Sequence, residues 1–233
     1  MANSKGKLLR SKMHDFSENL KCDQQKENNM QSSKEDIFSK AVKYHSEGNI
    51  SEAGKYYQYF LDKGFTDPRV FTNYGAIYKR RGHIKKAIEL YKKSIELYPN
   101  SPEAYSNLGN ILRGLGQLIE AEVSQRKAIE LKPDYLEAHY NLGSILCDLG
   151  KLQEAEISTR KAISIKPDYA KAHSNLGAIL LDLGKLKEAE ISTRKAIQLK
   201  PDYAIAYSNL GAILQGLGQL KEAERSVRKA IAL

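Results

Sequence analysis

An all-α solenoid of stacked helix pairs is the fold this sequence predicts, and three observations predict it. The phrase Lys-Pro-Asp-Tyr occurs at 132–135, 166–169 and 200–203, a period of 34 residues. Residues 150–180 and 184–214 differ at only five of 31 positions. Between these landmarks, apolar residues recur at helical spacing. A repeat of this length cannot bury a core alone, so neighbouring units must stack to make one.

The elements follow in chain order. Residues 1–33 are polar, rich in Asn, Gln, Lys and Ser, and are expected to be a disordered tail. Within it Leu9, Met13, Phe16 and Leu20 fall at helical spacing, which would suit a short partner- or membrane-binding helix. Projecting the period through the chain gives six units: 34–67, 68–101, 102–135, 136–169, 170–203 and an incomplete 204–233. The earliest is the weakest. It carries Gly48 and Ala53 one period before Gly82 and Ala87.

Unit 136–169 shows how each pair is built. Leu142, Ile145, Leu146 and Leu149 predict a first helix. Asp134 with Glu137 three residues on reads as a capping box at its start. Gly150 supplies the left-handed residue that ends it. Leu152, Ala155, Ile157, Ala162 and Ile163 predict the second helix, and Pro167 stops it. Gly143, Ala155 and Ala162 are small where the two helices must approach closely.

These residues resemble the tetratricopeptide repeat (TPR) family, strongly over 68–233 and weakly over 34–67. The family pattern is an aromatic, Leu-Gly, a second large residue, a small residue, a late Ala and a Pro. Tyr105, Leu108-Gly109, Leu112, Ala121, Ala128 and Pro133 fill it. Unit 34–67 departs, with Ile37, Lys40-Ala41 and Phe65 in the aromatic, Leu-Gly and Pro slots, as a degenerate or capping repeat would. The resemblance implies a right-handed superhelix, an α-solenoid whose first helices line the concave face and whose second helices line the convex one. Units 102–233 are especially similar to the TPR half of O-linked N-acetylglucosaminyltransferase, through Ala-Tyr-Ser-Asn-Leu-Gly-Asn-Ile-Leu (104–112) and Leu-Lys-Pro-Asp-Tyr (131–135). Bacterial repeats of this type often precede a transferase domain, so the resemblance also admits a substrate-recruiting module of a larger glycosyltransferase or sulfotransferase.

No catalytic constellation emerges. His139 and His173 occupy the slot of Tyr105 and Tyr207, which makes them packing residues. Gly109, Gly143, Gly177 and Gly211 read as helix-contact glycines and not as a phosphate loop. Cys22 and Cys147 share no metal-ligand spacing and are expected to be reduced thiols. The reading is therefore a non-enzymatic protein without metal or cofactor. No stretch is apolar and long enough to span a bilayer or to form a signal-peptide core, and a cytoplasmic protein is expected.

An asparagine stands one residue before each Leu-Gly or its equivalent: Asn73, Asn107, Asn141, Asn175 and Asn209. Stacking turns these into a ladder, which the resemblance places in the concave groove. An Asn amide both donates and accepts, so a ladder of them suits the backbone of an extended peptide. Neighbours one turn on, Asn110, Arg113, Ser144, Asp148, Asp182 and Gln215, are expected to add side-chain contacts. The family's two-carboxylate clamp is incomplete. Asn110, Asn141 and Lys171 suit its slots, whereas Ser106 and Asn175 replace the required Lys and Arg.

The net charge of +9 is concentrated. Unit 68–101 holds Arg69, Lys79, Arg80, Arg81, Lys85, Lys86, Lys92 and Lys93 against Glu89 and Glu96. This basic patch would draw acidic partners, or it is a solvated collar around Gly82. No aromatic platform interleaves with it, which argues against nucleic acid. The sequence stops at Leu233, short of another Lys-Pro-Asp. An uncapped solenoid end predicts either a longer natural protein or end-to-end self-association.

Overall fold

The computed structural model describes residues 33–233. Among these there are helices and no strand. The helices are α1 (33–46), α2 (Ile50–Asp62), α3 (Pro68–Arg80), α4 (Ile84–Leu97), α5 (Pro102–Gly114) and α6 (Leu118–Leu131). They continue as α7 (Leu136–Asp148), α8 (Leu152–Ile165), α9 (Ala170–Asp182), α10 (Leu186–Leu199), α11 (Ala204–Gly216) and α12 (Leu220–Ala232). Consecutive helices form antiparallel pairs, and each pair stacks on the next, giving an all-α solenoid. The expected polar tail, with Leu9, Met13, Phe16, Leu20 and Cys22, lies outside the described residues except for Ser33, which belongs to α1.

Two local devices turn the chain. The first helix of each pair closes on a glycine, at Gly48, Gly82, Gly116, Gly150, Gly184 and Gly218, with φ between 72 and 79°. That conformation costs an L side chain its Cβ clearance, and glycine has none to lose. From α4 to α10 the second helix ends where the residue before proline is forced out of the helical region. Lys132, Lys166 and Lys200 are accordingly extended, with φ of −141, −135 and −140°.

Two expectations about unit 136–169 are corrected. The cap of α7 is Tyr135, with no side-chain capping bond. Asp134 remains in the turn and pairs instead with Lys161 at 3.2 Å, because the proline turn carries its carboxylate away from the helix start. Ile157, read as a core residue, is 70% exposed. It lies two residues past buried Ala155, which puts it across the helix on the outer side.

The core is periodic but not uniform. Gly75, Gly109, Gly143, Gly177 and Gly211 face one slot of the paired helix, filled by Tyr91, Gln125, Thr159, Thr193 and Val227. A Cβ on Gly75 would stand 2.6 Å from the Tyr91 ring, and one on Gly143 or Gly177 would meet the Oγ1 of Thr159 or Thr193. Residues 33–101 pack with aromatic rings, whereas the later units pack with Leu, Ile and Ala.

Successive first helices touch one another, α3 with α5, α5 with α7, α7 with α9 and α9 with α11, and successive second helices are not comparably close. A stack held close along one layer and open along the other curves toward the close layer. The first helices therefore line the inner face. On the outer face a periodic ion-pair network ties units together. Arg126, Arg160 and Arg194 each bind a carboxylate on their own helix (Glu122, Glu156, Glu190) and one on the next unit (Glu154, Glu188, Glu222), at 2.5–3.1 Å. Lys151 and Lys185 return to Glu122 and Glu156, both at 2.8 Å.

Candidate functional site

The inner face is built from one stripe of each first helix. The five ladder asparagines each belong to a first helix and all are partly buried. Three of them spend an N–H on a neighbouring unit. Asn175 Nδ2 donates to Ser144 Oγ at 3.3 Å, and Asn209 Nδ2 donates to the Ser174 carbonyl oxygen at 3.3 Å. Asn73 Nδ2 donates to the Tyr57 hydroxyl at 3.2 Å. These partners fix the orientation of two amides. The Ser174 carbonyl can only accept. Ser144 Oγ gives its own proton to the Tyr140 carbonyl, so it too must accept from Asn175. Each amide oxygen is then left without a partner among the described residues, as are both ends of Asn107 and Asn141.

Tyrosines from the repeated Lys-Pro-Asp-Tyr turn reach back to the preceding first helix. The Tyr135 hydroxyl lies near Ser106 and that of Tyr203 near Ser174. The Tyr169 ring stands edge-on to Tyr140 at 5.3 Å between centroids. Burial pushes the Tyr135 and Tyr169 phenols up to about 12, so both remain neutral donors at physiological pH. Lys132, Lys166 and Lys200 lie over the Tyr135, Tyr169 and Tyr203 rings at 5.0–6.0 Å. Sequence reasoning used these tyrosines only to find the period. Their fixed position after Pro-Asp was the signal that they also bridge units.

The expected neighbours divide. Arg113 Nε and Asp148 Oδ2 pair with each other at 2.6 Å across two units, so each neutralises the other. Ser144 is buried, contrary to its expected place as an open contact. Asn110 is partly buried and without a side-chain bond among the described residues, while Asp182 and Gln215 are exposed. Cys147 lies between these carboxylates. Burial, then the charges of Asp182 and Asp148, raise its thiol, which keeps it protonated and unreactive. His139 and His173 bond through Nε2 to the Pro133 and Pro167 carbonyls at 2.8 and 2.9 Å, as packing residues do.

At the front of the inner face there is an open cavity of about 760 Å³. Its walls include Phe38, Val42, Arg69, Asn73, Leu97 and Pro99. Arg69 is fixed there by two bonds to Asp67, at 2.7 and 3.0 Å, and its guanidinium covers the Phe38 ring at 4.2 Å. Burial alone would raise the Asp67 carboxyl. The Arg69 side-chain and backbone hydrogen bonds outweigh it and hold the carboxyl below its ordinary value.

The basic patch surrounds Gly82. Arg80, Arg81, Lys85 and Lys86 are exposed and Lys79 is half-buried. None of them forms an ion pair within 4.0 Å among the described residues; Lys86 lies over the Tyr78 ring at 5.3 Å. Among the described residues no group of three or more His, Cys, Asp and Glu side chains is placed to hold a metal. Nor is any of their helices long and apolar enough to cross a membrane.

Comparison with known proteins agrees with this architecture. A family model described as "TPR repeat" matches residues 75–116, 109–150 and 143–184, and one described as "Tetratricopeptide repeat" matches 168–233. A crystal structure of MamA is 30% identical, with a TM-score of 0.61 over 68% of this chain and 92% of that one. YrrB, described as a TPR protein with an unusual peptide-binding site, is 22% identical, with a TM-score of 0.62 over 76% of this chain and 91% of that one. PilF of Pseudomonas aeruginosa is 19% identical, with a TM-score of 0.65 over 71% of this chain and 75% of that one. These last two are likenesses of fold. No curated protein matches the chain in sequence.

Proposed function

The chain belongs to the tetratricopeptide repeat family, and on that premise we propose that it is a protein-interaction scaffold that binds an extended polypeptide along its inner face. The observation that carries the reading is the row of Asn107, Asn141, Asn175 and Asn209, whose amide oxygens have no partner among the described residues. Such a row suits the N–H groups of an extended backbone whatever its side chains are. Asn73 belongs to the row by position, but its bond to Tyr57 gives it a packing role as well.

Magnitudes shape the mechanism. Four or five hydrogen bonds at ~0.5–1.5 kcal/mol each supply roughly 2–7 kcal/mol. Ordering a flexible ligand costs a comparable amount. The row therefore provides register and direction, and affinity comes from contacts beside it. Asn110 and Asp182 offer these, together with Arg113 and Asp148 wherever a ligand charge separates that pair. The YrrB likeness supports a peptide ligand for this fold. A cytoplasmic setting rests on composition. The alternative of a recruiting module for a glycosyltransferase or sulfotransferase draws on the resemblance of units 102–233, and no feature of the inner face favours it.

The test is an array of overlapping peptides probed with the wild type and with the triple variant Asn141→Ala, Asn175→Ala, Asn209→Ala. The expected outcome is a uniform loss of binding across unrelated sequences, tenfold or more. An unchanged array would remove the asparagine row from the mechanism.

A further inference from the structure

The inner face carries one feature that the asparagine row does not absorb, and it lies on a single helix. Arg69, Thr72, Asn73, Ala76, Lys79 and Arg80 recur at helical spacing along α3 and so share one face of it. The first three of them line the front cavity. The next turns bring Lys79 and Arg80, with Arg81, Lys85 and Lys86 around the turn that follows. Phe38, Val42, Leu97 and Pro99 give the cavity apolar walls. One end of this strip is therefore shaped for an apolar side chain, and the other is a concentration of positive charge.

That charge is a cluster without a carboxylate among the described residues, whereas several arginines of the later units are paired. Arg113, Arg126, Arg160 and Arg194 all hold carboxylates at 2.5–3.1 Å. The five cations around Gly82 hold none among the described residues. Lys79 is the informative one, because it is half-buried where the others are exposed. Burial lowers its affinity for a proton, so its charge is carried at a cost that an anion would relieve. Structure alone gives no reason for an unpaired, half-buried ammonium at this place.

We propose that the front of the inner face recognises a short acidic segment of an extended polypeptide, with an apolar side chain in the front cavity and carboxylates over Lys79 and Arg80. The proposal rests on the reading of the inner face as a polypeptide site. Charge complementarity selects the occupant. Curvature selects polypeptide over bilayer, since Lys79 lies on the inner, concave layer, where a flat surface does not reach. From Thr72 to Lys79 is seven residues, about 10 Å along a helix rising ~1.5 Å per residue. An extended chain covers that in about three residues at ~3.3 Å each. The recognised pattern is thus an apolar residue followed, three or four positions on, by Asp or Glu.

The test uses the whole chain and a fluorescein-labelled probe, Gly-Ser-Phe-Gly-Ser-Glu-Glu-Gly-Ser, read by anisotropy. Wild type should bind it, and binding should weaken tenfold or more when Gln replaces both Glu or when Ser replaces Phe. Arg80→Glu, on an exposed residue, should abolish binding, and Lys79→Ala should weaken it by a similar factor to the Gln probe. Raising salt from about 50 to about 300 mM should weaken the acidic probe and leave the Gln probe unchanged. Equal binding of the Glu and Gln probes, or no effect of Arg80→Glu, would overturn the proposal. So would tighter binding of duplex DNA or of phosphatidylserine vesicles to the same residues, which would assign the patch to those ligands. The triple asparagine variant separates the two readings. If the array loses binding while the probe behaves as uncharged, the groove stands and the acidic specificity falls.

Discussion

Residues 33–101 and residues 102–233 obey the same 34-residue period and solve it differently. In the later units the helix-contact slot holds Gln125, Thr159, Thr193 or Val227, the cores are Leu, Ile and Ala, and Arg126, Arg160 and Arg194 are paired. In the front units the slot is filled by Tyr91. Phe38 meets Phe60 edge-on, and Tyr57, Tyr74 and Tyr78 form a run of tilted rings. Hydroxyls link these rings: His45 Nδ1 with Tyr57 at 3.3 Å, Tyr74 with Tyr78 at 3.0 Å, and Tyr74 donating to Gln58 at 3.1 Å. The later units are near-copies that repeat one packing scheme. The front ones carry individual side chains, and there the charge is left open to a partner.

Substitutions at matched positions sharpen this contrast, the largest effect first. Tyr91→Ala should cost about 3–5 kcal/mol in urea unfolding, since it empties a fully buried ring. Thr193→Ala, in the same slot, should cost less than about 1.5 kcal/mol, because it removes little volume and an Oγ1 that has no partner. Equal losses would mean that the two regions are held alike. Second, Gly177→Leu should destabilise by about 1–3 kcal/mol or more through overpacking against Thr193. Gly184→Ala, at φ 72° with open space around it, should cost only about 1 kcal/mol.

Third, Asn73→Ala should lower stability by about 1 kcal/mol through its bond to Tyr57, whereas Asn141→Ala should leave the unfolding midpoint unchanged. The smallest effects separate the regions by pH. Burial, then the charge of Arg80, lowers the His45 pKa. The unfolded chain therefore takes up that proton first, and the contribution falls as pH drops through about 6.5. Glu122 and Glu156 behave differently. Hydrogen bonds from Lys151 and Lys185 lead in lowering their pKa values, against the opposing effect of burial. Their contribution is complete above the ordinary Glu value of about 4.3 and is lost as pH falls through the depressed folded values. Their cationic partners are half exposed and screened by solvent, so about a few tenths of a kcal/mol is expected from each. His45→Gln should flatten a stability profile between pH 7.5 and 5.5 and leave the acid limb below pH 5 unaltered.

Much of the scaffold was legible because its rules are local. A glycine after a helix, a proline after a lysine and a small residue opposite a large one each act within one unit, and the period repeats them. The contacts between units were not legible in the same way. Nothing in Asp148 alone says that it meets Arg113 rather than a ligand; that pairing depends on how far one unit is displaced from the next. The Asp134 cap failed for a related reason, since a capping pattern competes with a proline turn that leads its carboxylate to Lys161. The inner asparagines could be found by position, but their orientation depends on contacts with the preceding unit, the Ser144 hydroxyl for Asn175 and the Ser174 carbonyl for Asn209.

The outer ion pairs have a mechanical consequence. Tightening the coil spreads its outer layer, so Arg126–Glu154, Arg160–Glu188 and Arg194–Glu222 must stretch whenever the superhelix closes further. They act as staples on the outside of a spring, setting a minimum radius without adding much to folding. Salt loosens the staples while the apolar contacts between helices persist. The elastic constant of this molecule, more than its melting temperature, should therefore follow ionic strength.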